Sequence, residues 1–239
     1  MGAKLFPAMR RLGHILSIAL ITAGLIVVAD VSVTLAYQEP LSSLYSSIKQ
    51  SEKADQLKSL ESDFLTKSDV KSIDRAKQTK DPHVLKANIS ELAQRLVDES
   101  EPGDALGRIE APDMGGLNMV FVQGTDESSL ELGPGHYPET GMPGQGKTVA
   151  IAGHRTTYLA PFRHIDSIKP NDKITLKMPY GTFIYSVQKT EIVDPSDVGI
   201  IQNTGYDRLV LSACNPVYSA AQRYIVFARL VREEPRTAS

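Results

Sequence analysis

Cysteine is almost absent from this chain: Cys214 is the single one in 239 residues, so an intrachain disulfide is excluded. Histidines are few and none joins a cluster with metal-ligand spacing, which argues against a structural zinc site. No metal or cofactor is expected. Basic runs are missing beyond the N-terminal flank and the net charge is only −2, which argues against a nucleic-acid partner. Glycine and proline are nearly missing between Gln38 and Asp104 and frequent after it. Long apolar runs are also rare, apart from one near the N-terminus.

That run extends from Leu12 to Ala29, interrupted only by Gly13, His14, Ser17, Thr22 and Gly24. At about 18 residues it reaches the lower limit for a membrane-spanning helix, with room to continue to Tyr37. Lys4, Arg10 and Arg11 precede it and, by the positive-inside rule, hold residues 1–11 in the cytoplasm. Thr34-Leu35-Ala36 loosely resembles a signal-peptidase site, but the run exceeds the roughly 7–15 residues of a signal-peptide core. The sequence therefore predicts an uncleaved, single-pass anchor over 12–37, with everything after it outside the cell membrane.

From 38 to 104 the apolar residues recur at helical spacing: Leu41, Leu44, Ile48; Leu57, Leu60, Phe64; Leu85, Ile89, Leu92, Leu96. Asp81-Pro82 is a helix-start signal before the last set. We expect a polar, partly helical stalk here. After Asp104 the pattern changes to short β-rich runs: 117–122, 148–152, 173–178, 182–193, 208–213 and 223–231. Pro170-Asn171-Asp172 and Pro179-Tyr180-Gly181 mark turns between them. Such spacing predicts an all-β sandwich or closed barrel over 105–232, with short helices near 160–168 and 195–201 and a tail at 233–239.

Three of these runs end on chemically capable side chains. Cys214 closes Leu209-Val210-Leu211-Ser212-Ala213 and is followed by Asn215-Pro216, which cannot extend a ladder. His154 follows Val149-Ala150-Ile151-Ala152 after Gly153, and Arg223 opens Tyr224-Ile225-Val226-Phe227-Ala228. A free cysteine ordinarily packs as a small hydrophobe. Outside the membrane, however, an unpaired thiol is liable to oxidation, and its place beside strand ends carrying His and Arg suggests a thiolate site.

The stretches Gly133-Pro134-Gly135-His136-Tyr137-Pro138, Pro143-Gly144-Gln145, Gly153-His154-Arg155-Thr156-Thr157-Tyr158, Ala160-Pro161-Phe162, Leu211-Ser212-Ala213-Cys214-Asn215-Pro216 and Gln222-Arg223 together resemble the sortases. The likeness runs from Ala105 to Val231 and is most like the class E enzymes of actinobacteria. The resemblance implies a closed eight-stranded β-barrel and a cysteine transpeptidase that needs no cofactor. It makes Cys214 the nucleophile, His154 the general acid/base and Arg223 the oxyanion- and substrate-binding cation. It further implies surface proteins with a C-terminal sorting signal as substrates, cleaved between Thr and Gly, and a peptidoglycan-precursor amine as acceptor. The class E likeness favours Leu-Ala-x-Thr-Gly over Leu-Pro-x-Thr-Gly.

One departure stands out. The family pattern has Thr before the cysteine; this chain has Ala213, with Ser212 one step back and therefore on the opposite strand face. Ala213, Tyr158 and His136 are taken as candidate substrate-groove residues, with plain loop or packing roles as the alternative for the last two. Asp194 and Asp197 form a weak acidic pair for calcium. A pilus polymerase with a lid is the main alternative within the family, faintly suggested by Asp81-Pro82-His83. Outside the family stand an L,D-transpeptidase-like cross-linker and a non-catalytic interaction module with Cys214 buried.

Overall fold

The computed structural model describes residues 5–36, 40–79 and 81–236. Lys4, Tyr37 and the tail from 237 onward, which enter the expectations above, lie outside the described residues. The chain divides into two compact units at Leu41/Ser42.

The first unit contains α1 (Leu5–Ala36). Within it, Leu12–Ser32 is 21 residues, long and apolar enough to cross a membrane. Two of its hydroxyls are satisfied locally: Thr22 donates to the Ile18 carbonyl at 2.9 Å and Ser32 to the Val28 carbonyl at 2.7 Å. The segment thus presents no unpaired side-chain hydroxyl at either position.

A closed barrel follows three helices, α2 (Pro40–Asp63), which lies in the second unit from Ser42 on, α3 (Lys67–Thr79) and α4 (Pro82–Asp98). Its strands are β1 (Ala105–Ala111), β2 (Leu117–Gln123), β3 (Gly135–His136), β4 (Thr148–Ala152), β5 (Lys173–Met178), β6 (Gly181–Val193), β7 (Arg208–Asn215) and β8 (Gln222–Pro235). Neighbours run β1-β2-β3-β4-β7-β8-β6-β5, and β5 returns to β1. Short helical elements lie between strands: α5 (Glu127–Leu130) and two 3-10 turns, Ile165–Ser167 and Val198–Ile201. All six apolar runs became strands. The additions are β1 and β3, and β8 continues through 233–235, which the sequence suggested as tail.

The segment expected as a stalk is packed against the barrel. Asp81 caps α4, accepting from the His83 and Val84 N–H groups at 2.9 and 3.4 Å, with Pro82 opening the first turn. The apolar face of α4, Ile89, Leu92, Ala93 and Leu96, is buried in one cluster with Phe121, Tyr180 and Phe183 of the barrel. Gly144 permits this approach: it has φ +88°, and a Cβ there would lie 2.5 Å from Ile89 Cγ2. Helix α2 adds a polar join. The Gln50 amide donates to the Val120 and Leu132 carbonyls at 2.9 and 2.6 Å and accepts from Val120 N–H at 2.9 Å, taking the place of a strand neighbour.

Helix α4 meets the end of the barrel away from Cys214. Lys86 lies 3.9 Å from Asp207, just before β7 begins, whereas Cys214 is at its other end, about 20 Å along the strand. Asp81-Pro82-His83 is therefore a helix start, and its helix does not cover the cysteine.

Candidate functional site

Strand register brings the three predicted residues together. Strands β7 and β8 are antiparallel, and Cys214 pairs directly with Arg223. Strands β4 and β7 are parallel, with Ala152 opposite Ser212. The ladder is extended by Gly153 N–H donating to Ser212 O at 3.0 Å. Continuing at this offset brings His154 level with Cys214. The three residues thus occupy adjacent strand ends, as the apolar runs and their breaks suggested.

The same ladder decides which neighbours share the Cys214 face. Leu209, Leu211 and Ala213 point into the barrel core, and Ala213 is 3% exposed. Val210 belongs to a second, outer cluster with Ala150, Ile225 and Phe227. Alternation then places Ser212 and Cys214 on the outer face. Ala213 does not line the groove; the position is interior and apolar. Ser212 instead lines a cavity of about 110 Å³ with Arg223, Tyr137, Asp194, Ile200 and Ile201. The hydroxyl on the cysteine face belongs to Ser212.

His154 is half-buried, and its Nε2 has no hydrogen-bond partner among the described residues. Burial pushes its pKa below the ordinary imidazole value, opposed by the carboxylates of Glu131 and then Glu127. Tyr158 packs against it with ring centroids 5.2 Å apart and planes at 40°. The Tyr158 hydroxyl donates to Glu131 Oε1 at 2.9 Å. This placement uses an unusual backbone: Tyr158, Leu159 and Ala160 have φ of 50°, 64° and 42°, a left-handed run costing roughly 1–2 kcal/mol per residue. The turn is fastened by Ala160 N–H to Thr157 O at 2.7 Å and Phe162 N–H to His154 O at 2.9 Å.

The Arg223 guanidinium donates to the main-chain carbonyls of Ala220 and Gln222 at 3.0 and 3.1 Å. No salt bridge to a carboxylate forms at Arg223 among the described residues, and Arg223 lines the same cavity as Ser212.

His136 is not a groove residue. It is fully buried, with Nδ1 2.9 Å from Gln123 Oε1 and Nε2 3.0 Å from Gly141 O and 3.2 Å from Thr140 Oγ1. Burial lowers its pKa to about 4. It joins β3 to the loop ahead of β4 and carries no reachable nitrogen. Asp194 is engaged by Ser196, through N–H at 2.9 Å and Oγ at 2.6 Å. No three acidic, His or Cys side chains converge as a metal site among the described residues.

Sequence reasoning missed two groups. Glu131 sits in an ordinary polar stretch and offers no local signal. Arg155 lies inside the stretch Gly153–Tyr158, but only the fold reveals that it turns inward, 3% exposed, to reach Asn215.

Comparison with known proteins agrees with this geometry. The family profile for the sortase domain matches residues 109–231. The chain is 31% identical over 160 residues to Sortase D of Bacillus subtilis, spanning 65% of this chain and 79% of that protein. To Sortase SrtE1 of Streptomyces coelicolor it is 27% identical over 152 residues, 57% of this chain and 43% of that one. The solved Streptomyces coelicolor sortase E1, with a tripeptide in its active site, superposes with a TM-score of 0.54 at 26% identity, covering 57% of this chain and 94% of that one. A Clostridium perfringens sortase D5 shares the fold at a TM-score of 0.58 and 22% identity, over 76% of this chain and 99% of that one. The barrel, the three strand ends and these likenesses agree: the chain belongs to the sortase family and is a cysteine transpeptidase.

Proposed function

We propose that this protein is a membrane-anchored sortase that joins surface proteins to a cell-wall amine, using Cys214, His154 and Arg223. The observation that carries the assignment is the register pairing of Cys214 with Arg223, one strand from the loop bearing His154. Leu12–Ser32, preceded by Arg10 and Arg11, is the membrane anchor.

Cys214 Sγ attacks the carbonyl carbon of the Thr in a Leu-Ala-x-Thr-Gly or Leu-Pro-x-Thr-Gly signal, and its proton passes to His154. Burial favours the neutral imidazole at the start, which suits it to receive that proton. Arg223, which has no carboxylate partner among the described residues, stabilises the oxyanion of the tetrahedral intermediate. The C–N bond breaks as His154 protonates the departing glycine amine, leaving a thioester on Cys214. An incoming amine attacks the thioester carbonyl and loses its proton through His154. The new amide forms and the thiolate recovers its proton. Ser212 and the cavity it shares with Arg223 take the signal beside the cleaved bond.

The test is turnover of both signal peptides by the full chain in detergent, with and without an amine acceptor. Wild type gives cleavage after Thr and an amine-dependent ligated product; Cys214→Ala, His154→Ala and Arg223→Ala each abolish or strongly reduce both. Full activity in Cys214→Ala would remove the assignment.

A further inference from the structure

Arg155 follows His154 in the chain yet turns away from the groove and is 3% exposed. Its Nη1 donates to Asn215 Oδ1 at 3.0 Å and approaches the carbonyl of Cys214 itself at 3.5 Å. Nη2 pairs with Asp166 of the 3-10 turn. The guanidinium carbon stands 5.7 Å from the centre of the Tyr224 ring, and Tyr224 is both the residue after Arg223 and the ladder partner of Ala213. One side chain therefore touches the segments carrying all three proposed catalytic residues. It follows His154 in the chain, approaches the carbonyl of Cys214 and stands over the ring of Tyr224 beside Arg223.

Packing alone does not require this residue. Burying a guanidinium is unfavourable unless its donors are matched, and an apolar side chain of similar length would fill the space without that demand. Nε of Arg155 has no partner among the described residues, so the site keeps a buried charge that is incompletely satisfied. The two Nη atoms reach different segments. A planar fork can fix such segments at a set spacing and angle, whereas an ammonium acts as a point charge.

We propose that Arg155 is a positioning residue that sets the line from the Cys214 thiol to the His154 imidazole by fixing the turn at Cys214–Asn215. The inference rests on the reading of Cys214 and His154 as nucleophile and acid/base. Its action is on the chemical step: misplacement by about 1 Å costs on the order of 100-fold in rate while leaving binding largely intact.

The experiment uses the full chain in detergent with a fluorogenic sorting-signal peptide, measuring kcat, KM and thermal melting for Arg155→Met, Arg155→Lys and Asp166→Asn. Arg155→Met is expected to lower kcat on the order of 100-fold with KM within about twofold. Arg155→Lys, which keeps the charge and loses the fork, falls between Met and wild type. Asp166 is half-exposed, so Asp166→Asn tests the same anchor without endangering the fold and is expected to lower kcat about tenfold. Should Arg155→Met fail to fold, the Asp166→Asn result decides. Wild-type kcat in folded Arg155→Met or in Asp166→Asn, full recovery in Arg155→Lys, or a loss confined to KM would each overturn the proposal. Activity in Cys214→Ala or His154→Ala would instead remove the underlying assignment, so the two failures are distinguishable.

Discussion

The rings of Tyr158 and His154 lie 5.2 Å apart, and the Tyr158 hydroxyl is bonded to Glu131 at 2.9 Å. Ser46 of α2 donates to the Glu131 main-chain carbonyl at 3.1 Å. The wall beside the imidazole is thus assembled from the β2–β3 connection, the loop after β4 and the first helix of the second unit.

Glu131→Gln should shift the pH profile. Burial depresses the His154 pKa and the Glu131 carboxylate is the largest opposing influence. Neutralising it removes support for the charged imidazolium, so the pKa falls further. The acidic limb of kcat/KM, where neutral imidazole is gained as pH rises, moves to lower pH. Rates measured from pH 4 to 9 check this; an unmoved limb, or one moved to higher pH, would contradict it.

His136 should make the fold acid-sensitive. Its folded pKa of about 4 lies below the ordinary value of 6.5. Between those values the unfolded chain binds more protons, so stability is fully present above about pH 6.5 and is lost as pH falls toward 4. The loss is roughly 3 kcal/mol. Denaturant titrations at pH 7 and pH 4 measure it, and His136→Gln should flatten the difference by a similar amount.

Ile89→Ala should destabilise the barrel although it lies before the first strand. Its side chain is fully buried among barrel residues, so the expected loss is about 2–5 kcal/mol. A chain beginning at Ala105 loses this whole face and should melt lower than one beginning at Ser42. A change under about 0.5 kcal/mol, as at an exposed site, would return the segment to a stalk.

Ser212 and Ala213 should respond in opposite ways. Ala213→Thr inserts atoms into the barrel interior and should cost about 1–3 kcal/mol of stability without improving turnover. Ser212→Ala removes the groove-side hydroxyl, and one neutral hydrogen bond of about 0.5–1.5 kcal/mol corresponds to a roughly 2- to 12-fold fall in kcat/KM. Improved turnover in Ala213→Thr with Ser212→Ala silent would reverse the facing of β7.

Much of this site could be read before the fold was known. Gly153 and Pro216 mark where two apolar runs stop, and a residue just past a strand end stands at the rim of a sheet. Facing was harder. Alternation separates Ser212 from Ala213, but which of them points inward depends on the curvature of a closed barrel. The role of 38–104 was hidden for a related reason: an amphipathic face at Ile89, Leu92 and Leu96 says that something covers it, not what. His136 lay in a Gly/Pro-rich stretch resembling a loop, and β3 is too short to show alternation. Arg155 carried no signal of its inward turn, because its partners Asn215 and Asp166 are distant in sequence.

Whether Cys214 carries the acyl group is decided by intact-mass spectrometry of the full chain during peptide turnover. The expected result is an added mass equal to the signal fragment ending at Thr, located on Cys214, released by an amine and absent in Cys214→Ala. Cleavage of the peptide with no such adduct in wild type, or with equal rate in Cys214→Ala, would contradict it.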